Sequence, residues 1–533
     1  MERPLFEPQD LSRVSLILAV LVLSQLALRF LVVVVIAKKF GTSELADVIF
    51  IAQFIPINLF LQNRKALMLS FVPVYTEYIV QADEEEVWQF TSQFTNLVVI
   101  AGLAVTAAYV LAAPLLMGLM TVGFPPEQRE LTTRFTQLLA PAMFLFIVFS
   151  LEESLLYSFR HYTTTSWTIL FGGLGGLLGV LLLTDRLGVF GYGYGSLAGY
   201  LLQVALPLTL FWKYRQRFSF SLNLRDPGLR KIYKLLTPVY LFSVLMALIH
   251  LASRTLATTL GPGRVSAFQY CVTLAGIVPL ILTGSVLAPL FPIIAEKVVR
   301  KEMEDLKDLL RRGTQVLFFA VAPIIAVLVV LRVPVIRFFF ERGEFTPEDT
   351  RLTADTFVFL APFMLAMTLS QFYSQIVVTL GLINSVVKSA VVLVVANVLL
   401  CLLTMPFLDV GGIALSMTLV LFIQALIFLW LIRQRAGPMG FRRLVRPTLK
   451  VLAACLVCSA PTFYFCRQLE VAMDVSRLSF RVLALALEGG LFFLLFAGCV
   501  RVFRMQEAGM FLELLKTRKK GKGPGEALPA MGA

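Results

Sequence analysis

Long apolar segments alternate with short polar loops along almost the whole chain, and this pattern predicts membrane-spanning helices. Each segment holds roughly twenty residues or more, the length that an α-helix needs to cross the hydrocarbon core of a bilayer. The predicted class is an all-α polytopic membrane protein. About fourteen transmembrane helices are expected, within residues 14–37, 46–79, 92–118, 134–158, 166–184, 190–212, 233–258, 265–296, 314–336, 353–380, 385–406, 411–432, 447–466 and 480–502.

Composition and charge fit this class and set its orientation. Of the 533 residues, 58% are hydrophobic and 15% are charged, which is too apolar for a soluble protein. The net charge of +14 lies mainly in loops, so no nucleic-acid partner is expected. The most basic loops, 213–234, 297–312 and 433–450, fall on one side of the membrane. Because cytoplasmic loops are rich in Lys and Arg, both termini are predicted to be cytoplasmic.

One stretch of the sequence occurs twice. Phe124–Met143 returns as Phe345–Met364 with nine of twenty positions identical, where composition alone would give roughly one or two. Pro73–Glu77 and Pro292–Glu296 repeat at nearly the same offset. Since both copies run in the same direction, we expect two six-helix lobes related as a parallel repeat, plus two C-terminal helices.

The repeat predicts the domain boundaries. We expect a cytoplasmic N-terminus (1–13), an N-lobe of spans 1–6 (14–212), a basic cytoplasmic linker (213–232), a C-lobe of spans 7–12 (233–432), spans 13 and 14 (447–502) and a basic cytoplasmic tail (503–533).

Three local motifs predict structure rather than chemistry. In both copies of the repeat, Pro followed by Glu precedes an apolar run, which predicts a helix start in preference to a substrate contact. The glycine-rich runs 172–179 and 191–195 favour close helix packing. Segment 297–312 alternates basic and acidic residues beside several leucines and is predicted to form a cytoplasmic interfacial helix.

Ionisable residues inside spans are costly and often mark a site. Arg29 in span 1, Arg64 with Lys65 in span 2 and Arg254 in span 7 lie well inside the predicted helices. Facing one another across water, with Asp47 as the one nearby acid, they would attract an anion, and guanidinium groups suit phosphate. The alternative is separate charges, each satisfied by its neighbours. The substrate-binding candidates, with two polar residues of span 8, are Arg29, Asp47, Arg64, Lys65, Arg254, Gln269 and Thr273.

The sequence does not indicate an enzyme. The six cysteines lie in or beside apolar segments and there are two histidines, so no metal site is expected. A P-loop and the common hydrolase and dinucleotide motifs are absent, so no cofactor is expected.

Three stretches resemble the lipid II flippase family, called MurJ or MviN, within the superfamily of multidrug and polysaccharide-lipid exporters. They are Phe339–Thr350, Ala37–Gly41 followed by Ala46-Asp47, and Phe71-Val72-Pro73 leading to Glu77-Tyr78. The resemblance implies a transporter that flips a polyprenyl-pyrophosphate-linked saccharide, the peptidoglycan precursor lipid II, across the bacterial inner membrane by alternating access. It also implies that spans 1, 2, 7 and 8 line a cationic cavity.

The resemblance leaves the exact substrate and partners open. Family members carry two arginines in span 1, whereas here Arg29 lies between the matching positions Leu26 and Val32. Another lipid-linked glycan, of exopolysaccharide or O-antigen type, is an alternative substrate. A non-transporting scaffold of cell-wall synthesis is an alternative function. The expected partners are the lipid-linked saccharide diphosphate, membrane lipids and cell-wall synthesis proteins, and the expected state is a monomer.

Overall fold

The computed structural model describes residues 11–437, 442–472 and 478–510, and in these ranges it is helical without any strand. The helices of the first half are α1 (Leu11–Phe40), α2 (Glu44–Ala52), α3 (Phe60–Gln81), α4 (Glu84–Met120), α5 (Pro126–Leu139), α6 (Pro141–Ser158), α7 (Thr163–Leu178), α8 (Thr184–Leu187), α9 (Val189–Phe211) and α10 (Pro227–Ala257).

The helices of the second half are α11 (Arg264–Leu282), α12 (Ala288–Val299), α13 (Met303–Val330), α14 (Arg332–Phe339), α15 (Pro347–Leu360), α16 (Phe363–Thr379), α17 (Ile383–Leu408), α18 (Val410–Ala436), α19 (Arg442–Ala472) and α20 (Leu478–Val502). Short π-helical or 3-10 segments join several of them, at Phe54–Leu59, Gly179–Leu183, Trp212–Arg217, Thr258–Leu260 and Thr283–Leu287.

The predicted all-α polytopic class is confirmed. Within the described ranges, 13 helical segments are long and apolar enough to cross a membrane. The predicted second span, 46–79, is helical and consists of α2, a π-helical segment at Phe54–Leu59 and α3, but it is not one of these 13 segments. Polar residues at 62–65 lower the hydropathy of this segment.

The chain divides into two compact units. The boundary falls between Gln269 and Tyr270, inside α11, and Arg342–Phe345 group with the first unit. The first unit therefore holds α1 to α10, and α12 to α20 lie in the second apart from that short stretch. The lobe limits predicted from the repeat stay predictions.

The duplicated Pro-Glu stretches start helices, as predicted. α5 begins at Pro126 and α15 at Pro347. In α15, Thr346 and Asp349 form a reciprocal capping box, which satisfies backbone amides that a helix start leaves free. Each helix leads, past an Ala-Pro pair, into a longer apolar helix, α6 or α16.

An aromatic core packs α3 against α4, α6 and α10 in the first unit. The rings of Phe71 and Tyr75 stack with centroids 4.9 Å apart, and Phe94 of α4 lies 4.7 Å from Phe71. The Tyr75 hydroxyl lies 2.6 Å from the Thr91 hydroxyl, so the buried phenol has a partner. The Phe71 to Tyr78 motif is thus part of the packing that holds α3.

The predicted glycine contact joins α7 to α9. A Cβ added at Gly175 would overlap the Gly195 carbonyl and lie 2.7 Å from the Gly199 backbone. Gly179 makes the same close approach to Gly191 and Gly195. The two backbones touch because neither helix carries side chains along this line.

We expect Gly175→Leu to destabilise the protein by about 1–3 kcal/mol, because the new side chain overlaps backbone that cannot turn away. Gly118→Leu in α4 is the matched control, since no atom lies within 4 Å of a Cβ added there. Thermal unfolding in detergent measures both. Equal midpoints for the two variants would contradict the glycine interface.

Segment 297–312 does not form a separate interfacial helix. α12 ends at Val299, and α13 runs without a break from Met303 to Val330. Leu306, Leu309 and Leu310 are buried, so this start of α13 packs into the protein. Lys297 Nζ donates a hydrogen bond to Asp305 Oδ2 at 2.8 Å, and this hydrogen bond raises the pKa of Lys297. The predicted interfacial helix is therefore continuous with a spanning helix.

Candidate functional site

Arg29 is an exposed cation in the middle of α1. Tyr192 and Tyr200 on α9 and Arg64 on α3 are close enough to interact with it electrostatically, while the adjacent Leu28 lies at Gly173 of α7. Neighbours on α3, α7 and α9 place Arg29 among the helices of the first unit. No hydrogen bond or ion pair to another described residue engages its guanidinium, so its five donors are available to a ligand.

Arg64 is paired, in contrast to Arg29. Its Nε lies 3.1 Å from Glu153 Oε2 on α6, and these side chains are 18% and 9% exposed. The Arg64 guanidinium also lies 5.9 Å from the centroid of the Phe149 ring, within cation–π range. The neighbouring Lys65 is helical, but its side chain lies outside the described part of the structure.

Arg254 is buried at the end of α10, with 3% of its surface exposed. It donates to the carbonyl of His250 at 3.1 Å and to the side-chain oxygen of Gln269 on α11. Its guanidinium lies 4.7 Å from the centroid of the Phe54 ring. The structure thus brings together two predicted candidates, Arg254 and Gln269, although Arg254 is shielded from solvent.

Thr273 lies four residues after Gln269 on α11 and is half-buried. This spacing puts both side chains on one helix face, as lining residues would require. Thr273 belongs to the second unit and Gln269 to the first.

Asp47 caps the start of α11. Its two carboxylate oxygens accept the backbone N–H groups of Gly263 and Ser266, each at 2.7 Å, and its side chain is fully buried. Gly263 has φ +78°, a conformation that favours glycine, and a Cβ there would overlap Thr42. An acid at a helix N-terminus satisfies free amides and complements the helix dipole.

Asp47→Ala is expected to cost about 1–3 kcal/mol of stability, because two buried N–H groups lose their acceptor. Asp47→Asn keeps one acceptor oxygen and should lie between the wild type and Asp47→Ala. Denaturant unfolding in detergent measures the series. Equal losses in both variants would show that the two amides do not depend on these oxygens.

Two of the stretches that suggested the family meet in the first unit. The Glu344 N–H donates to the Lys38 carbonyl at 2.9 Å, and a Cβ at Gly343 would overlap that carbonyl. The carbonyl of Glu44, which is close to Asp47 in the sequence, accepts a hydrogen bond from the side chain of Gln128 on α5 at 3.2 Å. The close approach of Lys38 explains the glycine at position 343, which also has a φ of +62°.

Nothing in the sequence indicates how Arg64 is neutralised. Glu152 and Glu153 on α6 are both buried. Glu153 makes the ion pair. Glu152, 3% exposed, has no hydrogen-bond partner for either carboxylate oxygen among the described residues. Of the two tyrosines near Arg29, Tyr192 lies in the glycine-rich run 191–195 and Tyr200 lies outside it, and nothing else in the sequence indicates that they approach Arg29.

The fold is similar to the folds of solved membrane transport proteins. It is similar to a solved structure titled as lipid II flippase MurJ in an inward closed conformation, with a TM-score of 0.75, 19% identity and coverage of 92% of this chain and 99% of that one. It is also similar to an inward-facing multidrug resistance MATE transporter of the MOP superfamily, with a TM-score of 0.63 and 16% identity over 77% of this chain and 98% of that one.

The chain belongs to the lipid II flippase MurJ family, because residues 36–482 match the model of that family. Among its relatives is a probable lipid II flippase MurJ of Treponema pallidum, 24% identical over 85% of this chain and 88% of the relative. Another, with the same description, is from Synechocystis, 26% identical over 75% of this chain and 77% of the relative. The family suspected from the sequence is confirmed, and the chain is an integral membrane protein.

Proposed function

We propose that this protein flips lipid II, a polyprenyl-diphosphate-linked saccharide, across the bacterial inner membrane by alternating access. Arg29 is the observation that carries the proposal. It is an exposed guanidinium within a spanning helix, and the structure describes no acid paired with it. A cation held inside a membrane is costly unless a ligand or water uses it. A diphosphate accepts paired hydrogen bonds from guanidinium groups.

The other predicted site residues contribute to the proposed diphosphate binding to different extents. Arg64 adds positive charge near Arg29, and a diphosphate would compete with Glu153 for it. Arg254 and Gln269 form a covered pair that would contribute only after a rearrangement. Asp47 supports the start of α11, while Lys65 and Thr273 remain candidate lining residues. The duplicated halves move as the two lobes of the exporter.

The membrane context follows from charge. The basic loops support cytoplasmic termini. In the proposed cycle the saccharide head is taken up on the cytoplasmic side and released on the opposite side. The polyprenyl chain stays among membrane lipids, and a monomer suffices for this cycle. Cell-wall synthesis proteins are the partners that would supply and consume the substrate.

A translocation assay with labelled lipid II in proteoliposomes tests the proposal. Purified protein should increase the amount of labelled head group that becomes accessible on the far side, and empty liposomes should not. Rescue of cells depleted of their lipid II flippase distinguishes this substrate from another lipid-linked glycan. Failure in both experiments, with correctly folded protein, would favour a non-transporting scaffold.

A further inference from the structure

A small cavity with four ionisable side chains in its lining lies between α14, α19 and α20 in the second unit. Its lining includes Arg337 from α14, Glu470 from α19, and Arg481 and Glu488 from α20. The volume of about 20 Å³ admits one water molecule. A lipid head group does not fit.

Glu488 is the buried acid of this cavity. Its residue is 1% exposed, and its Oε2 atom has no hydrogen-bond partner among the described residues. The thiol of Cys466 on α19 is a neighbour of this carboxyl. A buried carboxyl oxygen without a donor is costly, and an ionised one is costlier still.

The charges around Glu488 are already balanced without it. Arg337 pairs with Glu470 at 2.9 Å and with Glu341 at 3.5 Å. Arg481 lies 3.4 Å from Glu341 and also donates to the carbonyls of Arg337 and Glu341. Two arginines thus face two glutamates, and an ionised Glu488 would add one uncompensated negative charge.

A proton fits this arrangement better than a metal ion does. Metal ions such as Ca²⁺ and Mg²⁺ take about six or more oxygen ligands, and the described residues contain no group of three His, Cys, Asp or Glu suited to a metal. A proton binds to a single carboxylate oxygen and neutralises the negative charge of Glu488. Glu470, 37% exposed, lies at the cavity and offers a route to solution.

We propose that Glu488 is a proton-binding site that is loaded through this cavity. In uptake, the O–H bond forms on Oε2 with a proton passed from water by way of the Glu470 carboxylate and one water in the cavity. In release, the same bond breaks and the proton returns along this route. Because the ion pairs of Arg337 and Arg481 surround Glu488, its proton occupancy is linked to the contacts among α14, α19 and α20.

Infrared difference spectroscopy of the full-length protein tests this site directly, without any transported substrate. The wild type should show a protonated-carboxyl C=O band that disappears on going from acid to alkaline pH. Glu488→Gln should lose that band, and Glu152→Gln, which removes a buried acid of the first unit, should keep it. Identical pH-dependent spectra for the wild type and Glu488→Gln would overturn the proposal.

Glu470→Gln provides a second test at a half-exposed position. Because it removes the acid that pairs with Arg337, the ionised form of Glu488 gains a counter-charge, so the Glu488 band should persist at acid pH and disappear at a lower pH than in the wild type. The response of the band to a pH jump should slow by at least about tenfold, since one proton carrier is lost. An unchanged response would overturn the route. Since neither readout involves flipping, the outcome is independent of the proposed lipid II transport.

Discussion

Arg29→Ala is expected to reduce lipid II translocation by roughly 10- to 100-fold at substrate concentrations below saturation. The magnitude corresponds to the loss of a charge-assisted hydrogen bond to phosphate. The fold should be unaffected, because the side chain is exposed and the described residues hold no ion pair with it. Initial rates of head-group translocation in proteoliposomes measure the effect.

The control for this prediction is Arg134→Ala. Arg134 is 69% exposed and pairs with Glu130 one turn away, so its loss removes the same charge without approaching the candidate site. Arg29→Lys keeps the charge but not the paired geometry and should fall between Arg29→Ala and the wild type. Wild-type rates in Arg29→Ala would remove the chemical basis of the proposed site.

Glu153→Ala is expected to destabilise the protein by about 3 kcal/mol, because it leaves the Arg64 guanidinium largely buried without its counter-ion. Removing Arg64 as well should restore most of that stability, since no uncompensated charge remains. Chemical unfolding of both single variants and of Arg64→Ala/Glu153→Ala gives the coupling energy of the pair.

The matched comparison for the pair is Glu130→Ala. Glu130 and Arg134 are more than 60% exposed, so water replaces the lost contact and the change should stay within about 0.5 kcal/mol. A Glu153→Ala variant as stable as Glu130→Ala would mean that Arg64 finds another acceptor. The coupling energy in the double variant would then be close to zero.

Hydropathy was sufficient to predict the class and most spans, because burial in lipid requires long apolar helices. It did not show where span 2 breaks. Pro56 lies in the π-helical turn Phe54–Leu59, and its missing N–H group removes one backbone hydrogen bond there. The glycine runs predicted close helix packing, and in the structure the two runs pack against each other, a pairing that the sequence did not specify.

The candidate site was less predictable because its chemistry depends on long-range contacts. Arg64 and Glu153 are far apart in sequence, and no periodicity indicates that they pair. Asp47 looked like a ligand, yet its oxygens face amides more than two hundred residues away. Among the candidate residues whose side chains the structure describes, Arg29 alone combines the predicted depth with an available guanidinium, and its difference from Arg64 depends on the neighbours of each residue.

The glycine interface between α7 and α9 has a mechanical consequence. Because the backbones of α7 and α9 are in direct contact, neither helix can slide along or rotate against the other without steric overlap. During a transport cycle the two helices should therefore move together as one rigid body. Any bending of the first unit must then occur elsewhere, for example where α1 packs on α7. Distance measurements between spin labels on α7 and α9 should accordingly give one narrow distribution in every transport state.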